Sequence, residues 1–438
     1  MRNRTIRWLA LAAGIALALP MLWQWYQLTA LTATTSSEYL ITIGRLAGMV
    51  MTFGVLMQLI LMSRFPGLER SIGLERLVTI HRYNGYTIFY ALLAHPFFLV
   101  LGYQIDGKPG LIQQYIDFIL HYPDVWRAWI ASLLLFTVVA TSIVISRRRL
   151  RYEWWYFIHL MVYAAILLGF GHQLKNGGDF IGHPWFIAYW YFLYLLAFGL
   201  VGFFRFGRPA WRLWHYRFRV DRVVPEAEGI HSIYVRGRGI DKLRPEPGQF
   251  FVWRFLDGER WWQAHPFSMS QAARPDELRL TFKAVGDFTG RLHLVKPGTP
   301  VVLDGPRGSF TLELAKGNKL LFLAGGIGIT PLRTMIEALP SSSDAHFIYA
   351  CRNEGERALG AEFERLAQEK KVKVHYVYQE TTGRLTPELL TGLIPDIARR
   401  EVFLCGPPPM MKALTDMMVG LGVKPERIYS ERFAFLGL

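Results

Sequence analysis

The sequence predicts a multi-domain membrane protein: a six-helix transmembrane bundle, then an antiparallel β-barrel, then an α/β doubly wound domain. Three observations carry this reading. Six apolar stretches long enough to cross a bilayer fill the N-terminal half. From Phe218 the composition becomes that of an ordinary globular protein, with polar and apolar residues alternating as in strands. From Lys319 short buried strands alternate with helical segments, and glycine-containing turns end two of those strands.

The spans are expected at about residues 8–28, 40–62, 79–103, 125–145, 154–171 and 184–204. A net charge of +15 suggests nucleic acid at first sight, but its placement points to a lipid bilayer. Arg2, Arg4 and Arg7 precede the first span, and Arg64, Arg70 and Arg76 lie between the second and third. Arg147, Arg148, Arg149 and Arg151 separate the fourth and fifth, and Arg205, Arg208, Arg212, Arg217 and Arg219 follow the sixth. The alternate connections hold little beyond Lys108, Arg127 and Lys175, so the positive-inside rule sets both termini in the cytoplasm; the membrane itself is expected to be a bacterial inner membrane. The first span has the look of a signal peptide, yet its apolar run continues past Pro20 into Trp23, Trp25 and Tyr26, which favours an uncleaved anchor. The two cysteines, Cys351 and Cys405, suggest neither a disulfide framework nor a cysteine metal site.

Four histidines stand out within the spans. His81 and His95 are fourteen residues apart in the third, and His159 and His172 are thirteen apart in the fifth. An ionisable group in a span is costly, and neutral imidazole is a common axial ligand of haem iron. One such histidine alone is more readily a hydrogen-bonded core residue, but near-matched spacing in two helices points to two haems. Either spacing separates its rings by roughly 20 Å along a helix. Fourteen residues return to within about 40° of the same helix face, whereas thirteen end about 140° away, so an irregularity is expected near Gly169 and Gly171.

In the second half, Phe218-Arg219-Val220 and Leu278-Arg279-Leu280-Thr281-Phe282 read as strands of a barrel. Apolar runs at 320–324, 345–350, 372–377 and 401–405 read as an open parallel sheet. The expected domains are therefore 1–205, a basic linker 206–215, the barrel 216–316 and the doubly wound domain 317–438. The turn Gly325-Gly326-Ile327-Gly328-Ile329-Thr330-Pro331 suits close approach to a phosphate, although alone it is equally turn chemistry. Cys405-Gly406-Pro407-Pro408-Pro409-Met410 lies at a second strand end, where Cys405 is otherwise a small buried hydrophobe.

These turns, together with His265-Pro266-Phe267-Ser268, Gly286-Asp287-Phe288-Thr289-Gly290 and Asp304-Gly305-Pro306-Arg307-Gly308-Ser309-Phe310, follow the order of ferredoxin-NADP reductase-type modules. With the histidine pairs and six spans, the chain resembles the ferric reductase and NADPH oxidase superfamily along nearly its whole length. The resemblance implies that His265, Pro266, Phe267 and Ser268 line FAD, with Ser268 near the reactive edge, and that Lys283, Gly286 and Thr289 lie near its pyrophosphate. It implies that Gly325, Gly326, Gly328, Thr330 and Pro331 hold the dinucleotide phosphates, and that Cys405 and Gly406 lie near the nicotinamide. Phe433, in preference to Phe435, would cover the flavin. Arg352 follows the second strand of the sheet, where a cation would favour NADPH over NADH; an exposed surface charge is the other reading.

The same resemblance implies electron flow from cytoplasmic NADPH through FAD and two b-type haems, one held by His81 and His159, the other by His95 and His172, to an acceptor outside. In similar oxidases oxygen is reduced beside an arginine early in the second span and a histidine four residues beyond the outer ligand. Arg45 matches the first, though pairing with a haem propionate explains it equally, and Leu99 departs from the second. Oxygen and ferric iron both stay open as acceptors, as does relay to a partner protein or quinone.

Overall fold

The computed structural model describes residues 2–105, 110–145 and 152–431. The chain divides into two compact units, Met1–Phe206 and Gly207–Gly437.

The first unit is helical. It comprises α1 (Arg2–Trp25), α2 (Ser36–Leu61), α3 (Pro66–Ile72), α4 (Leu74–Ile105), α5 (Leu111–His121), α6 (Val125–Ala140), α7 (Tyr152–Asn176) and α8 (Pro184–Val201). Among the described residues, six helices are long and apolar enough to cross a membrane, covering Trp8–Ala30, Ser36–Leu61, Arg76–Ile105, Val125–Ile143, Trp154–Asn176 and Pro184–Tyr216. The start of α2 is fixed by a reciprocal cap: Thr35 Oγ1 accepts from Glu38 N at 3.2 Å, and Glu38 Oε2 accepts from Thr35 N at 3.0 Å. Small residues then let helices approach without a driving force from water. Gly44, Gly48 and Gly54 turn towards α4, where an added Cβ would meet Leu99, His95 and Ile88 respectively.

Gly169 and Gly171 do not interrupt α7, which runs unbroken to Asn176. Gly171 instead serves packing, since a Cβ there would lie 2.6 Å from Asp124 Oδ2 at the start of α6. The thirteen-residue spacing is accommodated differently: α2 packs along α4 and α6 along α7, while α4 and α7 make little direct backbone contact. Side chains bridge the space left between them, so both histidines of α7 reach α4 without a kink.

The second unit opens with α9 (Arg208–Tyr216), within the stretch read as a linker. Its Pro209, Arg212 and Tyr216 are buried, and Arg212 donates to the Gly305 carbonyl, so the helix belongs to the barrel. The strands follow as β1 (Arg219–Ala227), β2 (Ile230–Arg236), β3 (Phe250–Phe255), β4 (His265–Ser268), β5 (Glu277–Lys283) and β6 (Val301–Arg307), with a short helix α10 (Asp287–Leu292) after β5. They form two three-stranded antiparallel sheets, ordered β1-β2-β5 and β4-β3-β6, which match the expected antiparallel barrel in part. Isolated bridges from Arg219 to Pro300 and Met269 to Leu280 supplement the sheets, which enclose Phe218, Phe251, Trp253, Phe255, Leu280 and Phe282.

The rest alternates: β7 (Lys319–Gly325), α11 (Ile329–Glu337), β8 (Asp344–Cys351), α12 (Gly360–Glu369), β9 (Lys373–Tyr378), α13 (Pro387–Leu393), β10 (Glu401–Cys405), α14 (Pro408–Gly420) and β11 (Ile428–Glu431). The sheet is wholly parallel in the order β11-β10-β7-β8-β9. The chain thus winds one way from β7 and the other way at β10, placing the topological switch between those two strands.

Candidate functional site

The four span histidines meet in two pairs. His81 faces His159 with ring centres 6.1 Å apart, and His95 faces His172 at 6.4 Å. Two imidazoles ligating one iron from opposite sides need about 6 Å between centres, from nitrogen–metal bonds of about 2 Å and ring centres about 1 Å behind each nitrogen. The side-chain spacing therefore fits one metal between each pair.

Backbone carbonyls orient the second pair. His95 Nδ1 lies 2.8 Å from Gly44 O, and His172 Nδ1 lies 2.6 Å from Gly169 O. With Nδ1–H donated in both rings, each Nε2 keeps its lone pair for a ligand. Gly48 makes the first arrangement possible, because a Cβ there would sit 2.6 Å from His95 Nδ1. Next to His172, Gln173 ties three helices together: its Nε2 donates to Thr52 Oγ1 at 3.3 Å, and its Oε1 accepts from Trp190 Nε1 at 2.7 Å and Tyr194 OH at 3.2 Å. The first pair is held more loosely. His159 Nδ1 lies 3.3 Å from Ser142 Oγ, and His81 Nδ1 is buried without a hydrogen-bond partner among the described residues.

A cavity of about 260 Å³ adjoins the second pair, with Arg45, His95, Leu99, His172 and Asp179 on its wall. The Arg45 guanidinium rests against Gly178, where a Cβ would be 2.9 Å from Nη1. Asp179, in the loop after α7, is buried and accepts from Thr29 Oγ1 at 2.9 Å. Burial holds its carboxyl above the ordinary range, against the Thr29 hydrogen bond and the Arg45 charge.

In the barrel, β4 sets His265 against the Phe288 ring at 3.9 Å, with Phe267 beside the same ring at 6.4 Å. Burial lowers the His265 pKa to about 4, so the imidazole is neutral and free to stack. Pro266 lies between them on β4, opposite Val252. Ser268 is buried, and its Oγ has no hydrogen-bond partner among the described residues, an open polar position of the kind a bound ligand satisfies. Lys283 pairs with Glu356 at 2.7 Å. Thr289 Oγ1 accepts from Gly286 N at 3.1 Å and closes the loop before α10.

At the switch point two turns interlock. A Cβ on Gly328 would strike the Cys405 carbonyl and lie 2.8 Å from Gly406 N, and one on Gly406 would lie 3.1 Å from the Gly325 Cα. Gly326 takes φ +52°, a conformation that favours glycine. Thr330 Oγ1 donates to Ile327 O at 3.1 Å, and Pro331 lies in the first turn of α11. The bare backbone left at the strand ends, with the start of α11, suits a phosphate. Cys405 is buried, and burial, reinforced by Glu431, pushes its thiol well up, so it packs as a neutral group.

Arg352 lies just after β8, exposed, with Nε 3.4 Å from Glu380 Oε1. Phe433 and Phe435 lie outside the described residues. Gly44, Gly48, Gln173 and Asp179 were not singled out from sequence. The four-residue spacing of Gly44 and Gly48 within a span was the available signal for the first two.

Three family matches tile the chain in the order of this geometry. Residues 43–170 match "Ferric reductase like transmembrane component", 229–309 "FAD-binding domain" and 322–416 "Oxidoreductase NAD-binding domain". The chain belongs to the ferric reductase and NADPH oxidase superfamily. As a member, it is an integral membrane protein whose transmembrane domain is joined to oxidoreductase FAD- and NAD-binding domains. Superfamily membership accords with both histidine pairs lying at the ends of, or within, the matched transmembrane segment: His81, His95 and His159 fall inside it and His172 two residues beyond.

Among similar proteins, flavohemoprotein A of Dictyostelium discoideum is 29% identical over 236 residues, covering 49% of this chain and 59% of that protein. A flavohemoprotein of Chromobacterium violaceum is 30% identical over 306 residues, covering 63% and 74%. The chain spans about three fifths of the first curated relatives it matches, 59% and 61%. Among solved structures, the FAD/NAD binding domain of nitric oxide dioxygenase from Vibrio cholerae is 23% identical, covering 49% of this chain and 97% of that one, with a TM-score of 0.43. Flavohemoglobin from Malassezia yamatoensis is 18% identical, covering 92% and 99%, with a TM-score of 0.46.

Proposed function

We propose that this chain is a transmembrane NADPH oxidoreductase, moving electrons from cytoplasmic NADPH by way of FAD and two b-type haems to a small acceptor on the far side, oxygen or a ferric chelate. The observation that carries the proposal is the pairing of His81 with His159 and His95 with His172 at 6.1 and 6.4 Å, on a chain that also has FAD- and NAD-binding domains. FAD takes hydride as an electron pair and gives the electrons up singly, which is the form in which haem iron carries them.

The chain's own residues divide this work. The Gly325–Gly328 backbone and Thr330 would receive the dinucleotide phosphates, and Arg352 would leave Glu380 to meet a 2′-phosphate. Neutral Cys405 and Gly406 would border the nicotinamide, while Ser268 would offer its open hydroxyl to the flavin edge. His265 and Phe267 would pack along FAD, with Lys283, Gly286 and Thr289 near its pyrophosphate and Phe433 covering the ring until nicotinamide displaces it. In the spans, the Gly44 and Gly169 carbonyls hold Nδ1 of His95 and His172, which would leave Nε2 of each ring to hold a haem iron. Arg45 supplies a cation on the cavity wall for a propionate or an anionic acceptor, and Leu99 leaves its part of that wall apolar.

Delivery to a membrane quinone is the second reading, favoured by α5, whose exposed Ile112, Ile116 and Leu120 share one helix face suited to lipid. Purified protein given NADPH under oxygen, then anaerobically with a ferric chelate or a short-chain quinone, tests the proposal. Haem reduced by NADPH and reoxidised by oxygen or the chelate supports it. Reoxidation by quinone alone supports the second reading, and haem that NADPH cannot reduce refutes both.

A further inference from the structure

The helix that ends the sixth apolar helical run, α9, has two faces of different kinds. Pro209, Arg212 and Tyr216 form the inner face of α9, seated on the barrel: Arg212 donates to Gly305 O, Tyr216 O accepts from Arg238 N at 2.8 Å, and the Tyr216 ring stacks on Phe218 at 5.4 Å. At about 100° per residue, Trp211, Trp214 and His215 lie on the opposite side. Trp211 is 52% exposed and Trp214 74%, and Trp211 stacks on His215 at 4.8 Å.

Charge points to the occupant. Residues 205–219 contain five arginines and no acidic residue; Arg212 is buried, whereas Arg217 and Arg219 are exposed. Exposed indoles followed within a few residues of chain by exposed arginines match the headgroup zone of an anionic bilayer, where aromatic rings sit at the boundary and basic side chains meet phosphate. The covalent connection keeps that zone in reach. Six residues, Gly202–Gly207, separate Val201, the last of α8, from Arg208 and are themselves helical, so the start of α9 lies within about 25 Å of the end of α8.

We propose that α9 is an interfacial helix whose Trp211/Trp214 face, with Arg217 and Arg219, binds anionic phospholipid headgroups of the membrane the chain spans. Because the inner face is fixed to β6 through Arg212, lipid binding on the outer face holds the flavin barrel at the surface. The lipid contact itself is independent of the function proposed above; only its effect on electron delivery rests on that reading.

The test uses the full-length chain in vesicles of phosphatidylcholine alone and of phosphatidylcholine mixed equally with phosphatidylglycerol. A fluorophore on Trp214→Cys is expected to be quenched by headgroup-labelled nitroxide lipid, more strongly with phosphatidylglycerol and less at high salt. The same fluorophore on Val419→Cys, 45% exposed on α14, is the reference and should stay unquenched. Equal quenching at both positions, or none at Trp214→Cys in either lipid, overturns the proposal. Quenching that instead follows protein density, as fluorophores on two copies approach, also overturns it and assigns the face to a dimer. In a second arm, Arg217→Ser is expected to lower NADPH-driven reduction of an acceptor trapped across the membrane by about fivefold in the anionic vesicles, the share of one surface cation. Reduction of ferricyanide added on the NADPH side should be unchanged. Loss of both activities would mark a folding defect and overturn the role in delivery, while the quenching result separately decides lipid binding.

Discussion

Substituting Gly48 by alanine probes the geometry of the His95–His172 pair at a residue that never touches a metal. An added Cβ would lie 2.6 Å from His95 Nδ1 and 2.7 Å from Cε1, well inside van der Waals contact. The ring has to turn, and turning it gives up the 2.8 Å interaction with Gly44 O that fixes its protonated nitrogen. Overpacking of this kind costs about 1–3 kcal/mol, and loss of an orienting partner weakens a metal site by about 10–100-fold. Gly54→Ala is the matched control, since its Cβ would press on Ile88 Cγ1 at 2.9 Å and leave the His95 environment alone. Pyridine haemochrome assays of purified proteins should give two haems per chain for wild type and Gly54→Ala, and close to one for Gly48→Ala. Reduced spectra should identify the lost component as the one also missing in His95→Ala. Two haems with unchanged spectra in Gly48→Ala would refute the orientation argument, and equal loss in both alanine variants would reduce it to general crowding between α2 and α4.

Four further outcomes follow from the second unit. His265 has a folded pKa of about 4, below the unfolded value of about 6.5, so the unfolded chain binds the extra proton; its contribution to the stability of the folded barrel is therefore full above about pH 6.5 and is lost towards pH 4. Flavin release followed by fluorescence should show this loss, and His265→Gln should flatten it. Arg352→Ala should raise the KM for NADPH by up to about tenfold and leave NADH unaffected, whereas Glu380→Gln should lower it slightly by releasing an exposed ion pair worth at most about 1 kcal/mol. Parallel steady-state titrations of both nucleotides decide between this and an indifferent surface charge. Arg279 is 1% exposed and pairs with Glu362 at 2.6 Å, so Arg279→Met should destabilise the second unit by about 3 kcal/mol in thermal unfolding; a change under about 1 kcal/mol would contradict that role. Phe433→Ala should alter stopped-flow flavin reduction without loss of FAD, and rates identical to wild type would exclude the shielding role.

The sequence made some of this legible and hid the rest for physical reasons. Spans were readable because hydropathy over twenty residues is a strong signal, and the parallel strands because β7 after Lys319 and all of β10 are buried and carry no polar alternation. The histidines were readable as an intramembrane cost that needs an explanation. Gly48 was not, because its role depends on which face of α2 meets His95, a tertiary fact. The expected irregularity at Gly169 and Gly171 failed because angular arithmetic along one helix takes no account of side chains reaching across the space between α4 and α7. Residues 206–215 read as a basic linker since their arginines dominate the composition, yet the buried set Pro209, Arg212 and Tyr216 makes one of those arginines a core residue. The two sheets of the barrel share one hydrophobic core, and alternation alone does not say which strand pairs with which.

The central claim is that electrons cross the membrane through the two histidine pairs. The most direct measurement is made on sealed proteoliposomes with an acceptor such as cytochrome c trapped inside, under anaerobic conditions, with membrane-impermeant NADPH added outside. Reduction of the trapped acceptor by wild type, abolished in His95→Ala while external ferricyanide is still reduced, is the predicted result. Trapped acceptor that stays oxidised with a fully loaded wild-type protein, or is reduced equally well by His95→Ala, would contradict it.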